Sequence, residues 1–155
     1  MHGFDDTPVR AFGPLTQSEC IHLLETHSLG RLAWQAADSQ QVRPINYVFR
    51  SGAVYFRTSP QGILSELVRP ADVALEVDDL DHHKRTGWSV IVYGRAKAVA
   101  TPDEVLEQEA MDDLVPWAPG VRNLFIQITP SRITGRLLHE SSRTADGPPT
   151  RWRPR

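Results

Sequence analysis

The chain has 155 residues, 40% hydrophobic and 23% charged, with a formal net charge of −2. That length supports one domain with a real core. The absence of any long apolar run excludes a membrane-spanning helix, and the slight acidic balance excludes a fold built to attract nucleic acid. One cysteine, Cys20, excludes an internal disulfide and a cysteine-based metal cluster.

Met1–Pro14 lacks a basic-plus-apolar leader and reads as an irregular arm, so the expectation is a soluble cytoplasmic protein that engages neither nucleic acid nor membrane. Leu15–Ser28 follows as a helix, with Thr16 and Glu19 as a capping box and Cys20, Leu23, Leu24 and His27 at helical spacing. Cys20 on that apolar face is buried filler, because no base can be assigned to activate it. Gly30–Gln35 is a short strand and Ala36–Gln41 its turn. Val42–Arg50 alternates with period two and is expected as one strand, joined through Ser51-Gly52 to a second strand, Ala53–Thr58.

The second strand ends in Arg57, Thr58 and Ser59, followed by Pro60. Ser59 fits an N-cap and Pro60 the first helical position, which predicts a helix over Gln61–Arg69. A cation, two hydroxyls and a helix N-terminus at one spot form a cradle suited to a phosphate. Taken alone, Arg57 at a strand end is more often a solvated arginine. Tyr47 and Phe49 are most simply core residues, whereas Asn46 within an apolar strand needs polar partners.

Asp72–Val77 reads as a strand, Asp78–Thr86 as a polar loop holding Asp78, Asp79, Asp81 and the pair His82-His83, and Gly87–Ala100 as the longest strand. Gly94 within it marks a bulge or tight bend. Thr101-Pro102-Asp103-Glu104 opens a helix reaching about Leu114. Asn123–Thr129 and Ile133–His139 are expected as a last strand pair or one long bent strand, and residues 140–155 as a flexible basic tail. The expected fold is mainly β: a six-stranded antiparallel barrel with peripheral helices spanning 15–139, flanked by the 1–14 arm and the tail.

LTQSEC, GRLA, PINYVF, FRTSPQG, LEVDDLD, TGWSVIVYGRA and ITGR occur in that order. In this the chain resembles the pyridoxamine 5′-phosphate oxidase-like flavoproteins, especially their small actinobacterial and nitroimidazole-reductase-like branch. The resemblance implies a split β-barrel homodimer with FMN at the subunit interface. It implies that Arg57, Thr58 and Ser59 grip the phosphate, that Gln61 and Gly62 offer backbone N–H groups, and that Ile45, Asn46, Tyr47 and Val48 run beside the isoalloxazine. Trp88 and Ser89 would reach the flavin from the partner subunit. Members that bind FMN well often carry a lysine after the phosphate turn, where Ile63 or Leu64 stands here.

The function implied is FMN-dependent oxidoreduction of a small organic molecule, with the flavin transferring hydride or electrons and no side chain required as general acid or base. Three alternatives stand beside it. One is a reductase using a deazaflavin coenzyme, to whose tail Arg31, Arg43 or Arg95 would contribute. The others are a non-catalytic flavin- or haem-binding protein and a barrel that has lost its cofactor.

Overall fold

The structure, a computed structural model, describes residues 12–100, 114, 120 and 123–138. The predicted helix over 101–114 and the tail 140–155 lie outside these, apart from the single residue Leu114. The elements in chain order are β1 (Phe12–Pro14), α1 (Gln17–Thr26), β2 (Leu29–Gln35), β3 (Gln40–Asn46), β4 (Val48–Arg50), β5 (Ala53–Thr58), a short 3₁₀ helix (Ile63–Val68), β6 (Ala71–Asp81), β7 (Thr86–Val99) and β8 (Leu124–Leu138).

The strands form one antiparallel sheet in the order β3-β2-β6-β7-β8-β5-β4, with β1 pairing on β8. β3 and β4 are the two ends of that order, yet Tyr47 alone separates them in the chain. The sheet must therefore curl until its ends meet, and β3 does come against β5. The expected strand over 42–50 is thus two strands, because the chain bends at Tyr47 and passes from β2 to β5 as its hydrogen-bonding neighbour. Counting β3 and β4 as one bent stave gives the six-stranded split barrel, and β1 is an added edge piece drawn from the expected irregular arm.

Inward positions of every stave fill a single core that includes Leu32, Trp34, Val54, Phe56, Leu75, Val92, Ile126 and Ile128. α1 closes one end of it with Cys20 and Leu24, 1% and 0% exposed. Its start is fixed by the expected capping box: the Glu19 N–H donates to Thr16 Oγ1 (3.2 Å) and the Thr16 N–H to Glu19 Oε2 (2.7 Å). Ser51 and Gly52 both take positive φ, 52° and 75°, the geometry that matches a two-residue turn to strand twist.

The outer side of β5 is also buried. Ala53 and Tyr55 pack with Val48, Leu114 and Phe125, so the strand has apolar neighbours on both faces. The β7–β8 register shifts between Tyr93 and Gly94, where a Cβ on Gly94 would stand 2.4 Å from the Thr129 carbonyl oxygen. Only glycine lets the strands approach so closely.

Two further expectations are corrected. Asp78–Asp81 are not loop but the end of β6, paired with β7, and only His82–Arg85 form the turn. Charged side chains are tolerated there because this end of β6 runs past the packed core: even Asp79, on the same phase as the buried Leu75 and Val77, is exposed. The helix after β5 is the 3₁₀ turn Ile63–Val68, shorter than expected, with Gly62 rather than Ser59 at its cap. Among the described residues no helix is long and apolar enough to cross a membrane.

Candidate functional site

The crossover and the turn after β5 are neighbours. Val48 faces Tyr55 in the β4–β5 register, and β3, which ends at Asn46, also comes against β5, which ends at Thr58. Of the four crossover residues, Ile45, Tyr47 and Val48 are 6%, 1% and 4% exposed, so their side chains belong to the packing. Asn46 is half-buried and has an interaction partner, on the outward phase of its strand. The chain is held at this corner by Tyr47, whose N–H donates to Ser28 O (2.9 Å) and whose hydroxyl donates to Leu24 O (3.1 Å). Burial raises the Tyr47 phenol well above the ordinary tyrosine range. That hydroxyl also satisfies a last-turn carbonyl of α1, which has no partner within the helix.

On β5, alternation sends Arg57 and Thr58 to opposite faces. Arg57 is half-buried on the outer side, its guanidinium 5.1 Å from the centroid of the Phe125 ring, an arrangement that orients the cation. Thr58 is 1% exposed and turned into the barrel. The following turn is closed on itself. Ser59 Oγ accepts from the Gln61 N–H (3.3 Å) and donates to Gln61 Oε1 (3.0 Å), and the Gly62 N–H donates to Ser59 O (3.1 Å). The two amides expected to face a ligand are thus spent inside the turn, through bonds at the long end of the range. Ile63 and Leu64 follow, so no lysine supplements Arg57 there.

Trp88 and Ser89 are not part of this group. Trp88 packs against the core cluster, with its ring edge-on to His27 at 4.6 Å and 72°. Ser89 lies between Asp78 and Arg136 in the sheet. Through β8 the way from β5 to β7 is only two strand spacings, about 10 Å, but it meets β7 at Val99, since Arg57 faces Phe125 and Phe125 faces Val99, eleven and ten residues along the strand from Trp88 and Ser89. One chain therefore brings Ile45–Val48 near Arg57–Gly62, with Trp88 reaching the crossover only through His27 and both Trp88 and Ser89 far from the turn.

Sequence reasoning missed a cavity of about 230 Å³ between the end of α1 and β4, lined by Glu25–Ser28 and Tyr47–Arg50. His27 shapes it: its Nδ1 lies 2.8 Å from Leu23 O, and its ring links the cavity wall to Trp88. The only signal in the sequence was a histidine in the last helical turn, read as part of the packing face.

For a flavin, the residues present fit in their chemistry. An oriented cation stands beside an exposed hydroxyl-bearing turn, and a strand crossover provides backbone and one amide side chain alongside. No buried side-chain nitrogen or oxygen among the described residues lacks a hydrogen-bond partner.

A curled six-stave antiparallel sheet closed by one bent strand and plugged by an N-terminal helix defines the class as the split β-barrel. The family model for pyridoxamine 5′-phosphate oxidase matches residues 16–137, and the chain belongs to that family. It is 36% identical over 135 residues to an uncharacterized Mycobacterium tuberculosis protein, Rv0080, covering 84% of this chain and 88% of that one. Among solved structures it resembles the FAD binding protein of Mycobacterium smegmatis, with 29% identity and a TM-score of 0.64 over 83% of this chain and 100% of that one. A conserved protein of unknown function from Corynebacterium diphtheriae is 31% identical with a TM-score of 0.64, over 83% and 98% of the two chains.

Proposed function

We propose that the protein is an FMN-dependent oxidoreductase acting on a small organic molecule, working as a homodimer with the cofactor held between two copies. One observation carries this reading: the crossover and β5 with its cation-bearing turn are neighbours, while Trp88 and Ser89 lie ten or more residues along β7 from the point where that strand comes nearest to Arg57. A second copy presenting its β7 to the first would complete the site. The FAD binding protein of Mycobacterium smegmatis, of the same fold and 29% identical, supports a flavin as the ligand.

When bound, the flavin supplies the redox chemistry. The chain's own residues bind and orient it. Arg57 meets the phosphate with Ser59, and the turn amides of Gln61 and Gly62 join by exchanging their bonds within the turn. Thr58 supports this turn from inside the barrel, where burial fixes its position. Asn46 and the crossover backbone bond the edge of the ring system.

A deazaflavin tail would want further arginines. Arg31 is held between two carboxylates, Glu76 (3.0 Å) and Asp78 (2.8 Å), whereas Arg95 and Arg43 make only exposed, exchangeable contacts, with Asp72 (3.1 Å) and Val42 O (2.8 Å). The double pairing of Arg31 favours FMN. In Arg57→Ala, loss of a charge-assisted bond of about 1.5–3 kcal/mol weakens FMN roughly 10- to 100-fold, read by quenching of flavin fluorescence on binding. Unchanged affinity would overturn the phosphate assignment.

A further inference from the structure

The β7–β8 bulge opens a second cleft, of about 740 Å³, on the outer face of β6, β7 and β8. That volume lies within the roughly 300–1,000 Å³ of small-molecule sites. No residue of the crossover or of the Arg57–Gly62 turn lines it. Its walls combine an apolar part, from Pro70, Pro130 and Tyr93, with the cations Arg95 and Lys97. Arg95 and Lys97 are two apart on one strand and so share a face, about 7 Å from each other along it.

A further cation packs on one wall residue: the Arg132 guanidinium lies 4.1 Å from the centroid of the Tyr93 ring. Among the described residues the acid that lines the cleft is Asp72, paired with Arg95 at 3.1 Å. Both partners are exposed, 89% and 62%, so the pair is weakly held and Arg95 is available to an incoming anion. The cleft is a consequence of the bulge rather than of loop placement. Gly94 admits Thr129 against β7, and the Ser131 hydroxyl donates to Tyr93 O (3.1 Å), which pins the bulged strand.

We propose that this cleft binds a compact organic anion: a flat ring against Tyr93 and the prolines, with a phosphate or carboxylate held by Arg95 and Lys97. None of the residues that line the cleft belongs to the proposed flavin site.

The test is an ¹⁵N NMR titration of the full chain at low salt with phenyl phosphate, benzoate and, as the uncharged counterpart, benzyl alcohol. Saturable shifts centred on Gly94, Arg95, Thr129 and Ser131 are expected with the anions and not with benzyl alcohol, and the tighter of the two anions identifies the headgroup. Arg95→Gln combined with Lys97→Gln should weaken binding at least about tenfold while FMN affinity is kept. Asp72→Asn should tighten it by releasing Arg95. Equal shifts with benzyl alcohol, unchanged affinity in the double variant, or no saturable shifts would each overturn the proposal.

Discussion

Tyr47→Phe isolates what holds the corner where the barrel closes. The substitution keeps the ring, which is 1% exposed, and deletes only the hydroxyl that donates to Leu24 O at 3.1 Å. The carbonyl left behind is at the end of a helix and under the barrel wall, so its lost partner costs about 1–2 kcal/mol. For a chain of this length that corresponds to a fall in Tm of roughly 2–8 °C. Tyr47→Ala also removes the ring and should cost about 3–5 kcal/mol through the cavity it leaves. Both are measured by thermal and urea unfolding followed by circular dichroism. Because the hydroxyl points to α1 rather than outward, Tyr47→Phe should keep FMN affinity. A Phe variant as stable as the parent, or one that loses flavin with stability intact, would refute the account of this corner. The same phenol has a pH signature. Its folded pKa lies above the ordinary value of about 10, so the unfolded chain ionises first, and this contribution to stability is complete below pH ~10 and declines above it. Tyr47→Phe should flatten that alkaline decline.

Gly94→Ala should destabilise by about 1–3 kcal/mol, seen as a lowered urea midpoint, because the added methyl meets backbone at Thr129 rather than a side chain that can turn aside. Glu76 has a raised pKa, from its burial and then from the neighbouring Asp78 charge, against which Arg31 acts. A raised carboxyl pKa contributes stability below the unfolded pKa of about 4.3 and loses it as pH rises through the folded value. Glu76→Gln should therefore gain stability relative to the parent between pH 4 and 7, with Arg31 kept in place by Asp78; a loss that grows toward neutral pH would contradict this. Arg31→Gln should leave two outward carboxylates uncompensated and raise the Glu76 pKa further, readable by NMR titration.

Local chemistry was legible wherever a residue type admits one geometry. Thr16 with Glu19 marked the start of α1, Ser51-Gly52 the turn and Gly94 the bulge. The corner at Tyr47 was hidden because Ile45 and Tyr47 both face inward and are buried, so the period-two pattern runs through the bend without a break in phase. A change of hydrogen-bonding partner leaves no trace in hydrophobic pattern. Ser59-Pro60 resembles a helix start, but the turn uses its own hydroxyl and carbonyl first and the helix waits for Gly62. The aspartates ending β6 read as loop because composition does not show that β7 would pair with them. That the crossover and the Arg57–Gly62 turn lie near each other was legible, since they flank one hairpin. The cavity at His27 was not, because it depends on α1 ending against β4.

The most direct measurement is sedimentation velocity of the purified chain mixed with FMN, followed at both protein and visible flavin absorbance. The account predicts that the flavin band travels with a species of twice 17.4 kDa. Flavin left behind as free cofactor, or carried by a species of 17.4 kDa, would contradict the proposal that two copies hold it between them.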